Sequence, residues 1–257
     1  MFNTPKLDPN YMGTQLVDGN NYLFNRFQAD SGGLIIRNIV ADIRACARPP
    51  VFVFDGLNGD DRRRKLVPEY KVRTAKALKA RESMWPMLKL FRSLMPFLPC
   101  VTINVPTWEA DDVLATLAKP PCRVITTDRD LSQLSVTPDV EVTAKFSDVP
   151  PDQVRLYKTF CGDASDNIKG VHLFGQKSWE VLNKDRAPSF EFGRWSAEQL
   201  GMKESHHTWC LFNTDKLKAY WEIIGLLEVP MDQIVANMIV GAPNPDRINA
   251  ILKEFML

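Results

Sequence analysis

Apolar positions follow two different spacings in the first half of the chain and only one in the second. Thr14–Asp18, Val51–Phe54, Val101–Val105 and Arg123–Thr127 are short runs rich in β-branched or aromatic residues, which predict strands. Val51-Phe-Val-Phe54 is apolar without a break, as in a parallel strand buried on both faces. Helical spacing fills the gaps. One helix starts after Gly19-Asn20-Asn21 and carries Tyr22, Leu23 and Phe27. A second, from Gly33 to Ala47, presents Leu34, Ile35, Ile39, Val40 and Ile43 and is ended by Pro49-Pro50. A third opens at Thr107–Ala118, and Val140–Thr143 reads as an edge strand. The alternation predicts an α/β fold: five or so mostly parallel strands flanked by helices.

Residues 57–98 interrupt the pattern with a basic helical stretch that Pro86 kinks or divides. From Pro151 onward strand signals vanish. Val154–Cys161 and Gly175–Lys184 read as helices around a turn-rich loop, Gly162–Gly170, and Lys216–Leu227 and Asp246–Phe255 as two more. Residues 186–213 are mixed. The expected division is a core over 12–150 containing the 57–98 insertion, then a helical region over 151–257 with a helix–loop–helix at 154–185. Residues 1–11 read as a loosely held leader.

Composition narrows the class. No run of 18 or more apolar residues is present, so no membrane partner is expected. The five cysteines (46, 100, 122, 161, 210) show no Cys-x-x-Cys spacing and read as reduced, mostly buried thiols of a cytoplasmic protein; a monomer is expected. Net charge is only +1, but Gly56–Arg92 holds eleven Lys/Arg against four Asp/Glu. That local excess of +7 leaves the remainder near −6, the balance of an acidic site beside a basic substrate-binding element.

The acidic residues carry the chemistry. Glu109, Asp111 and Asp112 crowd one helical first turn, where the helix dipole alone favours acids by ~0.3–1 kcal/mol. Asp18, Asp55, Asp128 with Asp130, and Asp163 with Asp166 stand where strands end or Gly-containing turns begin. Carboxylates gathered in this way repel one another unless a cation neutralises them, and hard oxygen donors suit Mg²⁺ or Mn²⁺. These residues imply a two-metal phosphodiesterase. Arg62-Arg63-Arg64-Lys65 and Tyr70–Arg73 are expected to meet phosphates, with Tyr70 stacking on a base. The amides of the glycine-bearing loop before Lys177, with the N-terminus of the helix that follows, are expected to hold a phosphate without reading sequence.

Six motifs in order resemble the flap endonuclease/5′-nuclease family: Val17-Asp-Gly-Asn20, Phe54-Asp-Gly56, Tyr70-Lys71, Glu109-Ala-Asp-Asp112, Thr127-Asp-x-Asp130 and Gly162-Asp-x-Ser-Asp-Asn167. The resemblance covers residues 14–230. It implies a PIN-like sheet, a helical arch over 57–98 and a helix-hairpin element over 154–185, in some relatives built around K⁺. Asp18, Asp55, Glu109 and Asp111 would surround a first Mg²⁺ or Mn²⁺, with Asp112 between the sites. Asp128, Asp130, Asp163 and Asp166 would hold a second. Lys71 would stand near the scissile phosphate, and Lys169, Gly170, Gly175 and Lys177 would grip duplex DNA. The implied activity is 5′→3′ exonuclease or 5′-flap endonuclease cleavage leaving 5′-phosphates, on DNA with 5′ ends or flaps. Three departures stand out: Thr74 occupies the usual arginine position with Arg73 one place early, Leu173 replaces a hairpin glycine, and Lys169 replaces a proline. The rival readings are a PIN-like ribonuclease and a catalytically silent, structure-specific DNA-binding protein.

Overall fold

The computed structural model describes residues 5–29, 34–146 and 148–254. The first leader residues, the helix start expected at Gly33, the helix end expected at Phe255 and the side chains of Lys76 and Arg81 lie outside the described residues.

Two compact units are present, and neither is continuous in sequence: a sheet unit (residues 1–59, 73–145 and 227–257) and a helical unit (60–72 and 146–226). This differs from the expected division at 150. Residues 227–254 return to the sheet unit, and 60–72 belong with the helices.

Six strands form the sheet: β1 Thr14–Asp18, β2 Val51–Val53, β3 Val101–Ile103, β4 Cys122–Ile125, β5 Val140–Val142 and β6 Met238–Val240, in the order β5-β4-β1-β2-β3-β6. The first five run parallel, with Leu16 opposite Val51 and Val124. β6 is antiparallel on β3, pairing Val101 with Val240. No strand was expected after Pro151, because three residues between Asn237 and Gly241 are too short to display a period. β2, β3 and β4 end earlier than expected, since the chain leaves the ladder where the acid-bearing loops begin.

Apolar residues from both the strands and the flanking helices build the core of this unit. Helix α1 (Gly19–Ala29) and α2 (Leu34–Ala45) bury Tyr22, Leu23, Ile36, Ile39 and Ile43. The ring of Phe52 meets Tyr22 at 5.8 Å and Phe91 at 5.9 Å, both edge-on. Leu7 is buried here too, and Asp8 pairs with Arg123 at 3.1 Å, so the described part of the leader is tied to the sheet.

The 57–98 insertion holds three α-helices. α3 (Asp61–Leu66) belongs to the helical unit, whereas α4 (Ala75–Glu82) and α5 (Trp85–Leu94) belong to the sheet unit. Pro86 sits in the first turn of α5, where its missing N–H costs nothing. Leu90, Phe91 and Leu94 of α5 are core residues, so the distal half of the expected arch is a buried flank of the sheet. α6 (Ala110–Leu117) completes the central part, followed late in the chain by α11 (Met231–Ala236) and α12 (Pro245–Glu254).

The helical unit comprises α3, α7 (Val154–Cys161), α8 (Gln176–Val181), α9 (Glu204–Phe212) and α10 (Thr214–Ile224). Its own core centres on Phe160, against which Phe174, Phe190 and Phe192 pack at 5.6–6.5 Å. No described helix is long and apolar enough to cross a membrane. All five cysteines are free thiols.

Candidate functional site

The strand order places β1 at the switch point: the chain steps from β1 to β2 and β3, then crosses back to lay β4 on the other side of β1. Open α/β sheets gather ligands beyond the carboxyl ends of strands at such a point. Asp18 ends β1, Asp55 follows β2, and Thr126-Thr127-Asp128 follows β4.

Asp18 is buried, and both of its carboxylate oxygens are held. The backbone N–H of Asn21 donates to Oδ1 at 3.2 Å and the Thr126 hydroxyl donates to Oδ2 at 3.0 Å. The Asp128 backbone N–H donates to the same Thr126 oxygen at 2.9 Å, and the Asp130 N–H donates to Asp128 Oδ1 at 2.9 Å. Burial, then the charges of Asp55 and Asp128, push the Asp18 carboxyl up to about 7, against the pull of those two hydrogen bonds. Asp18 forms no ion pair among the described residues.

Asp55 is exposed and anchors α6. Its Oδ1 accepts the Ala110 N–H at 3.0 Å, in the first turn of that helix, and Oδ2 accepts from Asn20 Nδ2 at 2.7 Å. A carboxylate at a helix N-terminus meets both a free N–H and the positive end of the dipole. Each of the two Asp-Gly motifs has a packing reason. A Cβ at Gly56 would lie 1.8 Å from the Val105 carbonyl oxygen, and one at Gly19 would lie 2.5 Å from the Phe54 ring. Glu109 is buried at the N-cap of α6 without capping it, and Asp111 is half-buried in the first turn. Asp112 faces inward: its Oδ1 accepts the Leu227 N–H at 2.9 Å, tying the returning segment to α6. One oxygen of that expected metal ligand therefore serves the fold.

The donor set fits a divalent ion. It consists of carboxylate oxygens, and Asp18 is buried among like charges that a cation would neutralise.

In the helical unit the surroundings are different. Asp163 accepts from the buried Lys158 ammonium at 2.5 Å and from Ser165, whose N–H and hydroxyl both reach Oδ1. Burial pushes Asp163 upward, but Lys158 and Ser165 outweigh it and hold the carboxyl below its usual range. Lys158 escaped the sequence reading, although it lies five residues before Asp163 on the apolar face of α7. Asp163 and Ile168 exchange backbone hydrogen bonds at 2.7 and 2.8 Å, which closes the loop. The Lys71 N–H donates to the Asp166 carbonyl at 3.0 Å and Asn167 Nδ2 to the Glu69 carbonyl at 3.0 Å. The backbone of Lys71, in the left-handed region at φ 51°, is thus pinned to the loop that carries Asp163 and Asp166.

Several expected nucleic-acid contacts are corrected. Arg63 is 4% exposed; its guanidinium donates to the carbonyls of Ile223 (2.7 Å) and Gly225 (3.1 Å) and caps α10 from within the unit. Tyr70 is 3% exposed in the core, so its ring is not a stacking platform for a base; the Lys71 ammonium lies over it at 5.0 Å. Gly170 is buried at φ 64°, where a Cβ would lie 2.5 Å from the Gly162 nitrogen and the Phe160 oxygen; its role is the turn itself. Arg62, Arg64, Lys65, Arg73, Lys169, Gly175 and Lys177 are exposed as expected, with Arg64 also paired to Asp60 at 2.7 Å. Leu173 keeps a left-handed φ of 55° while 82% exposed, so leucine adopts the conformation that a glycine would take there.

A family model described as "5′-3′ exonuclease, N-terminal resolvase-like domain" matches residues 14–159, more than half of the chain. The chain belongs to this family. It is 34% identical over 142 residues to the thermostable DNA polymerase I of Thermus thermophilus, covering 46% of this chain and 17% of the polymerase. It is 26% identical over 191 residues to a 5′-3′ exonuclease of Mycoplasmopsis pulmonis, covering 66% and 63%. The chain thus spans about a sixth of the length of the polymerases it matches. A bacteriophage T5 flap endonuclease, solved as a pseudo-enzyme-product complex with DNA and metal ions, shares the fold with a TM-score of 0.66. Identity there is 19%, with 95% of this chain and 97% of that one covered.

Proposed function

We propose that this protein is a divalent-metal-dependent 5′→3′ exonuclease and 5′-flap endonuclease that hydrolyses DNA and leaves 5′-phosphates. The observation that carries this reading is the convergence of Asp18, Asp55 and Asp128 beyond three neighbouring parallel strands, with Asp18 buried among like charges. Asp18, Asp55, Glu109 and Asp111 are assigned to one Mg²⁺ or Mn²⁺, and Asp163 and Asp166 supply ligands for a second. Ions so held would bring a bound water's pKa towards neutrality and offset charge on the departing 3′-oxygen.

The chain's own residues supply the framework. Asn21 and Thr126 fix the Asp18 carboxylate, while Asn20 and the Ala110 amide fix Asp55. The Lys71 ammonium is assigned to the charge that builds on the phosphate oxygens. Arg62 and Lys65 in one exposed stretch, with Lys169 and Lys177 in another, are assigned to backbone phosphates, contacts that position DNA without reading its sequence. The family membership and the names of the Mycoplasmopsis and T5 relatives support the substrate class.

The test is cleavage of a labelled 5′-flap duplex in Mg²⁺, with EDTA and an RNA-strand substrate as controls. Asp18→Asn and Asp128→Asn should each slow cleavage by about a thousandfold or more, the scale of losing several kcal/mol of metal-based stabilisation, while binding in Ca²⁺ survives. Near wild-type cleavage by both variants would remove the metal assignment. Preferential cleavage of the RNA strand would turn the reading towards a ribonuclease.

A further inference from the structure

Arg92 lies on α5, and its guanidinium carbon stands 4.5 Å from the centre of the Phe54 ring. Phe54 is 2% exposed and leads directly into Asp55. The same ring packs against Gly19, the residue after Asp18, so tightly that a Cβ there would come within 2.5 Å of it. One aromatic ring therefore joins the two strand ends that carry Asp18 and Asp55, and Arg92 is stacked on that ring. Stacking fixes the plane of a guanidinium but leaves its in-plane N–H donors available.

What those donors do separates Arg92 from Arg63 and Arg155. Arg63 spends its donors on two carbonyls, and Arg155, stacked on Trp221 at 4.2 Å, also donates to the Trp221 carbonyl at 2.7 Å. Arg92 makes no hydrogen bond and no ion pair among the described residues. Burial weighs against its charged form and the nearby charge of Asp55 supports it, yet the two groups do not pair. A guanidinium on a surface residue, packed over an aromatic ring beside Asp55 and without an acceptor among the described residues, is built for an anionic ligand with two oxygens. A phosphodiester matches that fork.

We propose that Arg92 is a phosphate-binding residue of the active site, its in-plane donors taking oxygens of the DNA strand on the Asp55 side of the acid cluster. This rests on the nuclease reading above and adds a contact from a helix that the family resemblance had placed in the arch.

The experiment uses the full chain and the variants Arg92→Gln, Arg92→Lys and Phe54→Leu. Single-turnover cleavage of the flap duplex is measured in Mg²⁺, binding in Ca²⁺ across a NaCl series, and Tm for each variant. Arg92→Gln should slow cleavage by about 10–100-fold, the loss expected for a charge-assisted hydrogen bond. It should also reduce the salt slope of binding by about one. Arg92→Lys should restore the slope but only part of the rate, and Phe54→Leu should shift the rate in the same direction by less. An Arg92→Gln variant with wild-type rate and slope, or one that changes Tm alone, overturns the proposal. The slope reads Arg92 even if wild type cleaves nothing, so failure of this contact and failure of the nuclease reading give different results.

Discussion

In the sheet unit, Asp18 is buried without an ion pair, and burial together with the charges of Asp55 and Asp128 lifts its carboxyl to about 7. In the helical unit, Asp163 has a buried ammonium, Lys158, at 2.5 Å and two donors from Ser165, and its carboxyl sits below the usual range. The two aspartates have the same chemistry and opposite electrostatics. The first is buried among like charges, and the second lies in a site partly balanced from within. The contrast teaches that an acidic motif does not reveal its own charge balance: that depends on which side chains the fold buries around it.

The largest test of this contrast is Lys158→Met. Removing one member of a buried pair leaves a carboxylate without its cation and should cost about 3–5 kcal/mol, or roughly 6–15 °C in Tm. Because Asp163 is held below its unfolded value near 3.9, the stability it contributes is present above that pH and fades as pH falls through the folded value. The deficit of Lys158→Met should therefore shrink on acidification, and adding Asp163→Asn should recover much of it. A loss under about 1 kcal/mol at pH 7 would mean that the pair does not hold this loop.

Next in size, and opposite in sign, is Asp18→Asn in metal-free protein. The folded state binds the Asp18 proton more tightly than the unfolded chain, so this group's stability is complete below about pH 4 and is lost as pH rises through about 7. At pH 8 the uncharged asparagine should raise Tm by roughly 2–6 °C and abolish the further rise produced by Mg²⁺. A lower Tm for the variant at pH 8 would show that the hydrogen bonds from Asn21 and Thr126 outweigh the repulsion.

The smallest effect should come from Leu173→Gly. Removing the Cβ from a left-handed position gains about 1 kcal/mol, and the greater freedom of glycine in the unfolded chain offsets most of it. Tm should move by less than about 2 °C in a thermal melt; a larger fall would show that the exposed leucine is held by contacts of its own.

The acids at the strand ends were legible because parallel strands buried on both faces leave unbroken apolar runs, and the Asp-Gly pairs mark where those runs stop. Hairpin loop and helix spacing were legible for the same kind of reason. The roles within Arg62–Lys65 were not: four adjacent cations look alike, and only the packing of α3 turns Arg63 inward to the carbonyls of Ile223 and Gly225 while its neighbours stay exposed. Tyr70 was misread because an aromatic beside a lysine fits a base platform and a core residue equally well. β6 was missed because three residues carry no period, and the structural bond of Asp112 because its partner Leu227 lies 115 residues away.

By itself the sequence determined the parallel sheet, the positions of the acids along it and the family. These follow from local spacing and from the turn residues that end each strand. Only the tertiary structure decided which charges are opposed: that Lys158 neutralises Asp163, that Asp18 stands among like charges, and that Arg92 rests on Phe54 with its donors open. Charge interactions act through space, between residues that the chain brings together only when its apolar faces close.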